Sequence, residues 1–182
     1  MKLREFIDQK KINWWSMSRN PVNEAIRLLE ANQEKIDWYY LSENTAPEAI
    51  KLLEANPEKI NWRMLSANPS AIKLLEANQE KIAWDFLSLN TSPGAIKLLE
   101  ANQDKIDWVW LSRNPSAIKL LEANPEKIVW SYLSQNPEIF EYDYKAMKDR
   151  MYNSGLFEDL MKNRFHPRNV LKFEEWGHEG IF

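Results

Sequence analysis

The sequence contains no cysteine. Disulfide bonds, thiolate nucleophiles and zinc–thiolate sites are therefore excluded. Glycine is also scarce, with four residues, and none of them lies in a phosphate-binding loop motif. The two histidines, His166 and His178, do not show a recognised metal-ligand spacing. Since these motifs are missing, we predict a non-enzymatic protein without a cofactor.

Neither sign of charge is concentrated in one part of the chain. The net charge is −3, and basic and acidic residues are interspersed without a basic block. This pattern argues against nucleic acid and against an anionic membrane as partners. No stretch approaches the roughly 20 apolar residues of a membrane span, and no apolar run of signal-peptide length begins the sequence. We therefore expect a soluble protein inside a cell or a particle.

Tryptophan is abundant, with nine residues, and it reveals a repeat. Most of these tryptophans stand in the motif K-I-x-W-x-x-L-S-x-N or a close variant, followed by A-I-K-L-L-E-A-N. The spacings between them are 24, 24, 22, 24 and 22 residues. A fixed period of this size indicates a repeat array. The repeated residues are Trp14, Trp38, Trp62, Trp84, Trp108 and Trp130.

Each repeat reads as a pair of helices. Asn56-Pro57 predicts a helix start, and Asn68-Pro69 predicts its end and the start of a second helix. Helices of about nine residues are too short to form alone, so they must stack on their neighbours. We therefore predict an all-α fold: an α-solenoid of short two-helix repeats of 22–24 residues, with helical caps at both ends.

The repeats also predict the organisation of the chain. We expect an N-terminal cap at residues 1–10 with a helix over 3–9, the repeat array at 11–137, and a C-terminal helical capping segment at 138–182. In the tail, helices are predicted at about 138–150, 156–164 and 167–176, with Ser154 capping the second. Two-residue insertions at the turn between the paired helices account for the longer units.

Several repeated positions are predicted to be structural. A serine recurs four residues after each tryptophan, and a nucleophile is not needed six times. We expect it to hydrogen-bond the preceding turn or the neighbouring unit. The repeated asparagines are interpreted as helix caps and as ladders between units. The residue two after each tryptophan is predicted to lie in the core because it is large in five units: Tyr40, Met64, Phe86, Trp110 and Tyr132.

Two positions vary while most others barely change: the residue after the repeated tryptophan and the one four further on. Side chains at i and i+4 share a helix face. We call these residues the variable row: Trp15/Arg19, Tyr39/Glu43, Arg63/Ala67, Asp85/Leu89, Val109/Arg113 and Ser131/Gln135. Trp, Tyr and Arg dominate the energy of protein interfaces. We hypothesise that the row binds a protein partner, through Trp15, Arg19, Tyr39, Glu43, Arg63, Asp85 and Arg113.

Two alternatives to this site stay open on the sequence alone. The variable row can reflect drift of exposed positions after duplication. A metal site in the tail would use His166 or His178 with a nearby carboxylate from Asp159, Glu174 or Glu175. A structural His166 beside Pro167 is the simpler interpretation, since no ligand spacing supports a metal.

The repeat resembles a known group of viral proteins. The motif L-S-x-N-P-x-A-I-K-L-L-E-A-N-x-E-K-I-x-W, at Leu65–Trp84 and Leu111–Trp130, is similar to repeats of uncharacterised proteins from giant DNA viruses. The resemblance covers about residues 11–137. The tail, with Tyr142-Asp143-Tyr144, Phe157-Glu158-Asp159-Leu160 and His166-Pro167-Arg168, resembles the closing segment of such proteins. It implies a viral origin and no assigned activity.

Three functions remain as hypotheses. The first is a monomeric adaptor of a large DNA virus that binds a host or viral protein through one face. The second is a structural component of the virus particle, in which self-association or a capsid contact is the purpose. The third is a metal-binding or enzyme-accessory role of the tail. The first two place the protein in the host cell cytoplasm or in the virion.

Overall fold

The structure is a computed structural model of the chain, and it describes residue 4 and residues 6–164. Every regular element in these residues is helical, which confirms the predicted all-α class. Short helices follow one another with the period of the sequence, so the predicted repeat solenoid is also confirmed. The chain divides into two compact units, residues 1–139 and residues 140–182.

The first helix of each repeat begins at the repeated tryptophan. These helices are α1 (Trp14–Ser18), α3 (Trp38–Glu43), α5 (Trp62–Ala67), α7 (Trp84–Leu87), α9 (Trp108–Arg113) and α11 (Trp130–Leu133). The residue before the tryptophan caps the helix where it is Asn or Asp, because its side chain accepts free N–H groups of the first turn. Asp37, for example, accepts the backbone N–H groups of Tyr39 and Tyr40.

The second helices are α2 (Asn23–Glu30), α4 (Pro47–Glu54), α6 (Ile72–Glu76), α8 (Pro93–Ala101) and α10 (Ile118–Glu122). They have 8 or 9 residues in the longer repeats and 5 in the shorter ones. In the shorter repeats a 3-10 turn, Pro69–Ala71 or Pro115–Ala117, replaces the first α-helical turn. The inserted residues thus do more than lengthen a loop, because they allow a full helical start.

A 3-10 turn precedes each first helix, and this corrects the prediction of one continuous helix from Asn56-Pro57 onward. Pro57–Lys59 forms the turn, and Ile60 and Asn61 follow in extended conformation. The extended pair buries Ile60 in the core and allows Asn61 to cap α5. The equivalent turns are Gln9–Lys11, Gln33–Lys35, Gln79–Lys81, Gln103–Lys105 and Pro125–Lys127.

The asparagine before this turn also differs from its prediction. Asn56 makes no N-cap bond; its Nδ2 donates to the Leu52 carbonyl at 2.9 Å. It therefore caps the end of α4, where the last carbonyls lack partners within the helix. The same bond recurs in the other complete repeats, from Asn32, Asn78, Asn102 and Asn124.

A second set of asparagines joins successive repeats, and we call it the asparagine ladder: Asn44, Asn68, Asn90, Asn114 and Asn136. The Nδ2 of Asn68 donates to the carbonyls of Ser42 and Asn44 in the preceding repeat, at 3.0 and 2.9 Å. Its Oδ1 accepts the N–H of Ser70. The predicted ladder is therefore present, with the amides bonded to backbone carbonyls rather than to one another.

The recurring serines also connect neighbouring repeats, because each hydroxyl from Ser18 to Ser112 bonds both its own helix and the next repeat. The hydroxyl of Ser42 donates to the Trp38 carbonyl at 2.7 Å and accepts the backbone N–H of Asn61 in the next repeat at 3.0 Å. Both predicted partners, the preceding turn and the neighbouring unit, are thus confirmed. The equivalent inter-repeat bonds are accepted by Ser18, Ser66, Ser88 and Ser112.

The core runs through the array as one continuous cluster. Each of the second to fifth repeats contributes the leucine three residues after the tryptophan, the isoleucine two before it, an alanine at or just before the start of the second helix, and a leucine of that helix. In the third repeat these are Leu65, Ile60, Ala71 and Leu75, all buried. Every repeat therefore stabilises its neighbours by removing apolar surface from water.

The repeated tryptophan packs at the edge of this core. Trp62 is partly buried, and the Nζ of Lys81 in the next repeat lies 4.7 Å from its ring centroid. A cation in this position is attracted by the ring face. The tryptophans of α1, α7 and α9 are covered in the same way, by Lys35, Lys105 and Lys127. Trp130, in the last repeat, is 67% exposed.

The tail contains α12 (Tyr144–Asn153), α13 (Leu156–Asp159) and a π turn at Leu160–Arg164. The helix predicted from residue 138 starts later, because Pro137–Ile139 is a 3-10 turn and Asp143 caps α12 by accepting the Ala146 N–H. Ser154 was predicted to begin the second helix and instead ends α12. Gly155 follows at φ +73°, a conformation that favours glycine. The helix predicted at 167–176 lies outside the described residues.

The predicted N-terminal capping helix is not formed in its described part. Residues 7 and 8 are not helical, and the Gln9–Lys11 turn follows them. Asp8 initiates this turn, since its Oδ1 accepts the N–H of Lys10 at 3.0 Å. Residues 1–3 and 5 lie outside the described part of the chain. Among the described residues, no helix is long and apolar enough to cross a membrane.

The asparagine ladder predicts a large stability cost for its removal. Asn68→Ala leaves two buried backbone carbonyls without their amide donor, so we expect the free energy of unfolding to fall by about 2–4 kcal/mol. Urea titration followed by circular dichroism measures this change. Asn20→Ala is the matched control, because Asn20 precedes the ladder and its side chain bonds, among the described residues, only to the N–H of Val22. A similar loss in both variants would contradict the role of the ladder.

The position of each tryptophan predicts a second contrast. Trp62→Ala removes a ring that packs against the core, and we expect it to cost about 3–5 kcal/mol. Trp130→Ala removes an exposed ring and should cost less than about 1 kcal/mol. Thermal and urea unfolding of the two variants beside the wild type measure the difference. Equal destabilisation would show that the last repeat is packed like the inner ones.

Candidate protein-binding face

Most of the variable row is exposed, on the first helices or directly after them, whereas Glu43, Ala67, Asp85 and Leu89 are partly buried. Trp15 and Tyr39 are each 47% exposed. Arg19, Arg63 and Val109 are also exposed. Since the helices α1, α3, α5, α7, α9 and α11 recur with the repeat, the row advances from one helix to the next. The predicted site residues are thereby placed along one face of the array.

The row residues of neighbouring repeats pair with one another. A guanidinium nitrogen of Arg19 lies 3.2 Å from a carboxylate oxygen of Glu43, and the equivalent distance from Arg63 to Asp85 is 3.3 Å. Each pair joins one repeat to the next at the surface. The charges at these four positions are therefore held by each other, and each guanidinium keeps further N–H groups for another acceptor.

Arg113 differs from the other two arginines. It is exposed near the end of α9, and no carboxylate of the described residues lies within ion-pair distance of it. Arg113 is therefore the one cation of the row that has no counter-charge among the described residues. Sequence comparison of the repeats could not distinguish this arginine from Arg19 and Arg63.

The residues two after each tryptophan do not belong to the core, which corrects their prediction. Tyr40, Met64, Phe86, Trp110 and Tyr132 are all half-buried, and none is part of the buried cluster. We call these five residues the ridge. The buried leucine comes one residue later, so the ridge side chains lie between the core and the variable row. Their large side chains predicted full burial, but each of them remains partly exposed to solvent.

The ridge and the row contact each other. The Tyr40 ring centroid lies 5.2 Å from that of Trp15 and 5.1 Å from that of Tyr39. The guanidinium carbon of Arg63 lies 4.3 Å from the ring centroid of Phe86. Offset and edge contacts of this kind hold aromatic side chains in defined positions. The face therefore presents aromatic rings and a guanidinium group that contact one another.

The tail contains a second surface feature, an open groove of about 910 Å³ beside α12. Among the described residues, its lining includes the apolar side chains of Met147 and Met151 and the cations Lys148 and Arg150, with no carboxylate.

The residues of the metal site predicted as an alternative are only partly described. Asp159 is exposed in α13, whereas His166, His178, Glu174 and Glu175 lie outside the described residues. Within the described part of the chain, no group of three or more His, Cys, Asp or Glu residues could hold a metal ion.

Comparisons with known proteins found no relative of this chain. No protein-family model matches the chain, and no curated protein or solved structure is significantly similar to it.

The two surface ion pairs predict little contribution to folding. Both pairs are largely exposed, so a double-mutant cycle with Arg19→Ala and Glu43→Ala should give a coupling energy below about 1 kcal/mol that decreases further with salt. Urea unfolding of the single and double variants at low and high salt measures it. A larger coupling that persists in high salt would mean that the row is constrained by stability rather than available to a partner.

Proposed function

We propose that the protein is a non-enzymatic repeat scaffold that binds a protein partner along the variable row and the ridge. The single observation that carries this proposal is the ordered cluster at the start of the array. There, the exposed rings of Trp15 and Tyr39 contact Tyr40, and Arg19 and Glu43 pair beside them. Trp, Tyr and Arg are the residues that contribute most to interface energy.

The order of this face supports binding for an energetic reason. A partner loses affinity whenever it must immobilise flexible side chains, at about 0.5–1.5 kcal/mol for each one. On this face the contacts of Trp15 and Tyr39 with Tyr40 reduce the number of positions open to these rings. The helices that carry them are fixed by the asparagine ladder, so the backbone is restricted as well.

The composition of the face favours a protein over other ligands. Acidic and basic side chains are paired in the row, so it lacks the uninterrupted positive charge that a nucleic acid requires. Half-buried aromatic edges beside paired charges are instead typical of the centre and rim of a protein interface. We infer a partner that presents an apolar strip flanked by a carboxylate, which Arg113 can bind.

The origin of the chain is part of the proposal. The similarity of the repeats and of the tail motifs to proteins of giant DNA viruses supports a viral protein whose partner is a host or viral protein. The proposed location is then the cytoplasm of the host cell or the virion. A structural component of the particle is the second candidate, favoured by the exposed ring of Trp130 in the last repeat.

A site-specific cross-linking experiment tests the proposed face. A photo-reactive phenylalanine analogue replaces Tyr39 in the full chain, and the matched control carries it at Lys51, an exposed position on α4. We expect a defined cross-linked protein from infected-cell lysate with the first chain and not with the second. The cross-linked protein is then identified and purified.

Binding of that purified protein is measured against the wild type and against the variant Trp15→Ala/Tyr39→Ala/Arg63→Glu. Loss of interface aromatic and arginine residues typically costs 2 kcal/mol or more, so we expect at least a roughly thirtyfold weaker affinity. Circular dichroism confirms that the variant is folded. Unchanged affinity, or equal cross-linking from both positions, would overturn the proposed face.

A further inference from the structure

The outward side of the last repeat carries hydrogen-bond acceptors whose equivalents in the inner repeats are bonded to the next repeat. The carbonyls of Ser112 and Asn114 accept the amide of Asn136, and the Ser112 hydroxyl accepts the N–H of Val129. No amide side chain of the described residues reaches the equivalent carbonyls of Ser134 and Asn136, and no described N–H donates to the Ser134 hydroxyl. Trp130 likewise has no described lysine over its ring and is 67% exposed.

The outward side of the first repeat carries the complementary donors. The Oδ1 of Asn20 accepts the N–H of Val22, as in the ladder, but its Nδ2 donates to nothing among the described residues. The Gln9–Lys11 turn is equivalent to Gln33–Lys35, which places Lys35 over Trp14. Lys11 therefore stands where a covering lysine stands in the inner repeats, with no preceding tryptophan to cover.

The last repeat thus presents the acceptors, and the first repeat the donors, of the hydrogen bonds that join neighbouring repeats. We propose that a second copy of this chain stacks head to tail on the first, with its first repeat against the last repeat. In this contact the Nδ2 of Asn20 donates to the carbonyls of Ser134 and Asn136. The backbone N–H of Asn13 donates to the Ser134 hydroxyl, and Lys11 lies over Trp130.

Each of these contacts copies one inside the array. Asn44 donates to Ser18 and Asn20 at 2.9 and 3.0 Å, Asp37 donates its N–H to Ser18 at 3.0 Å, and Lys35 lies 4.7 Å from the Trp14 centroid. All three come from a first helix and the turn before it. None involves a second helix, so they do not depend on the A-I-K-L-L-E motif, which is missing after Pro137.

The proposed contact is heterologous, because the surface used on one copy differs from the surface used on the other. Such contacts do not close after two copies unless the rotation between copies returns to the start. The expected products are therefore a concentration-dependent series of oligomers rather than one dimer. The contact does not use the variable row, so it stands independently of the partner-binding function proposed above.

Sedimentation velocity of the full chain over a wide concentration series is the first measurement. We expect a weight-average mass that rises continuously with concentration. Two blocked variants are then compared: a head-blocked chain, Lys11→Glu/Asn20→Ala, and a tail-blocked chain, Trp130→Lys, in which the new cation would repel Lys11 of the next copy. Each changes only exposed side chains, and each should associate at least about tenfold more weakly than the wild type, since buried polar contacts and ring cover are lost.

Mixing the two blocked chains gives the decisive result. The head-blocked chain retains a working tail end, and the tail-blocked chain retains a working head end. An equimolar mixture should therefore form a 1:1 dimer that grows no further, although neither chain associates alone. Lys51→Glu, which makes the same charge change on α4, is the matched control and should associate like the wild type.

The proposal fails if the wild type stays monomeric at every concentration, if the blocked chains associate as strongly as the wild type, or if their mixture forms no dimer. Circular dichroism and thermal unfolding establish that each variant is folded. If the double substitution in the head-blocked chain prevents folding, Lys11→Glu alone replaces it and carries the same expectation in the mixing experiment.

Discussion

The bond between an asparagine amide and two backbone carbonyls of the preceding repeat holds the array together. The side-chain amide of each ladder asparagine is buried, and its NH2 group donates to two carbonyls of the preceding repeat. Its oxygen accepts the backbone N–H two residues further along its own chain. A helix of 4–6 residues has too few internal bonds to persist alone. The first helices from α3 onward are therefore stabilised by their bonds to the preceding repeat, and the apolar cluster packs between the repeats joined in this way.

The period, the class and the breaks between helices could be predicted from the sequence because they follow from local chemistry. Asn-Pro pairs stop a helix wherever they occur, and a serine repeated in every unit must bond something that is also repeated. The broken first helix could not be predicted in the same way. The residues around Ile60 are compatible with a helix. Their backbone is extended instead because this conformation buries Ile60 in the core. Tertiary packing thus overrides local preference there.

The candidate face was partly predictable for a related reason. Variation between repeats located Trp15 and Tyr39, since an exposed position is free to change. It did not locate the ridge, because a large apolar residue at Phe86 or Trp110 is expected both in a core and at a half-open edge. The ion pairs between Arg19 and Glu43 and between Arg63 and Asp85 join residues 24 and 22 positions apart, a distance that only the stacking of repeats makes short.

The asparagine ladder recognises main-chain carbonyls, which every amino acid supplies. These bonds are consequently independent of the residue types at the acceptor positions, whereas the approach of Gly94 to Ile72 in the preceding repeat leaves no room for a larger side chain at residue 94. Substitutions at the exposed positions of the first helices therefore leave the bonds between asparagine amides and main-chain carbonyls unchanged.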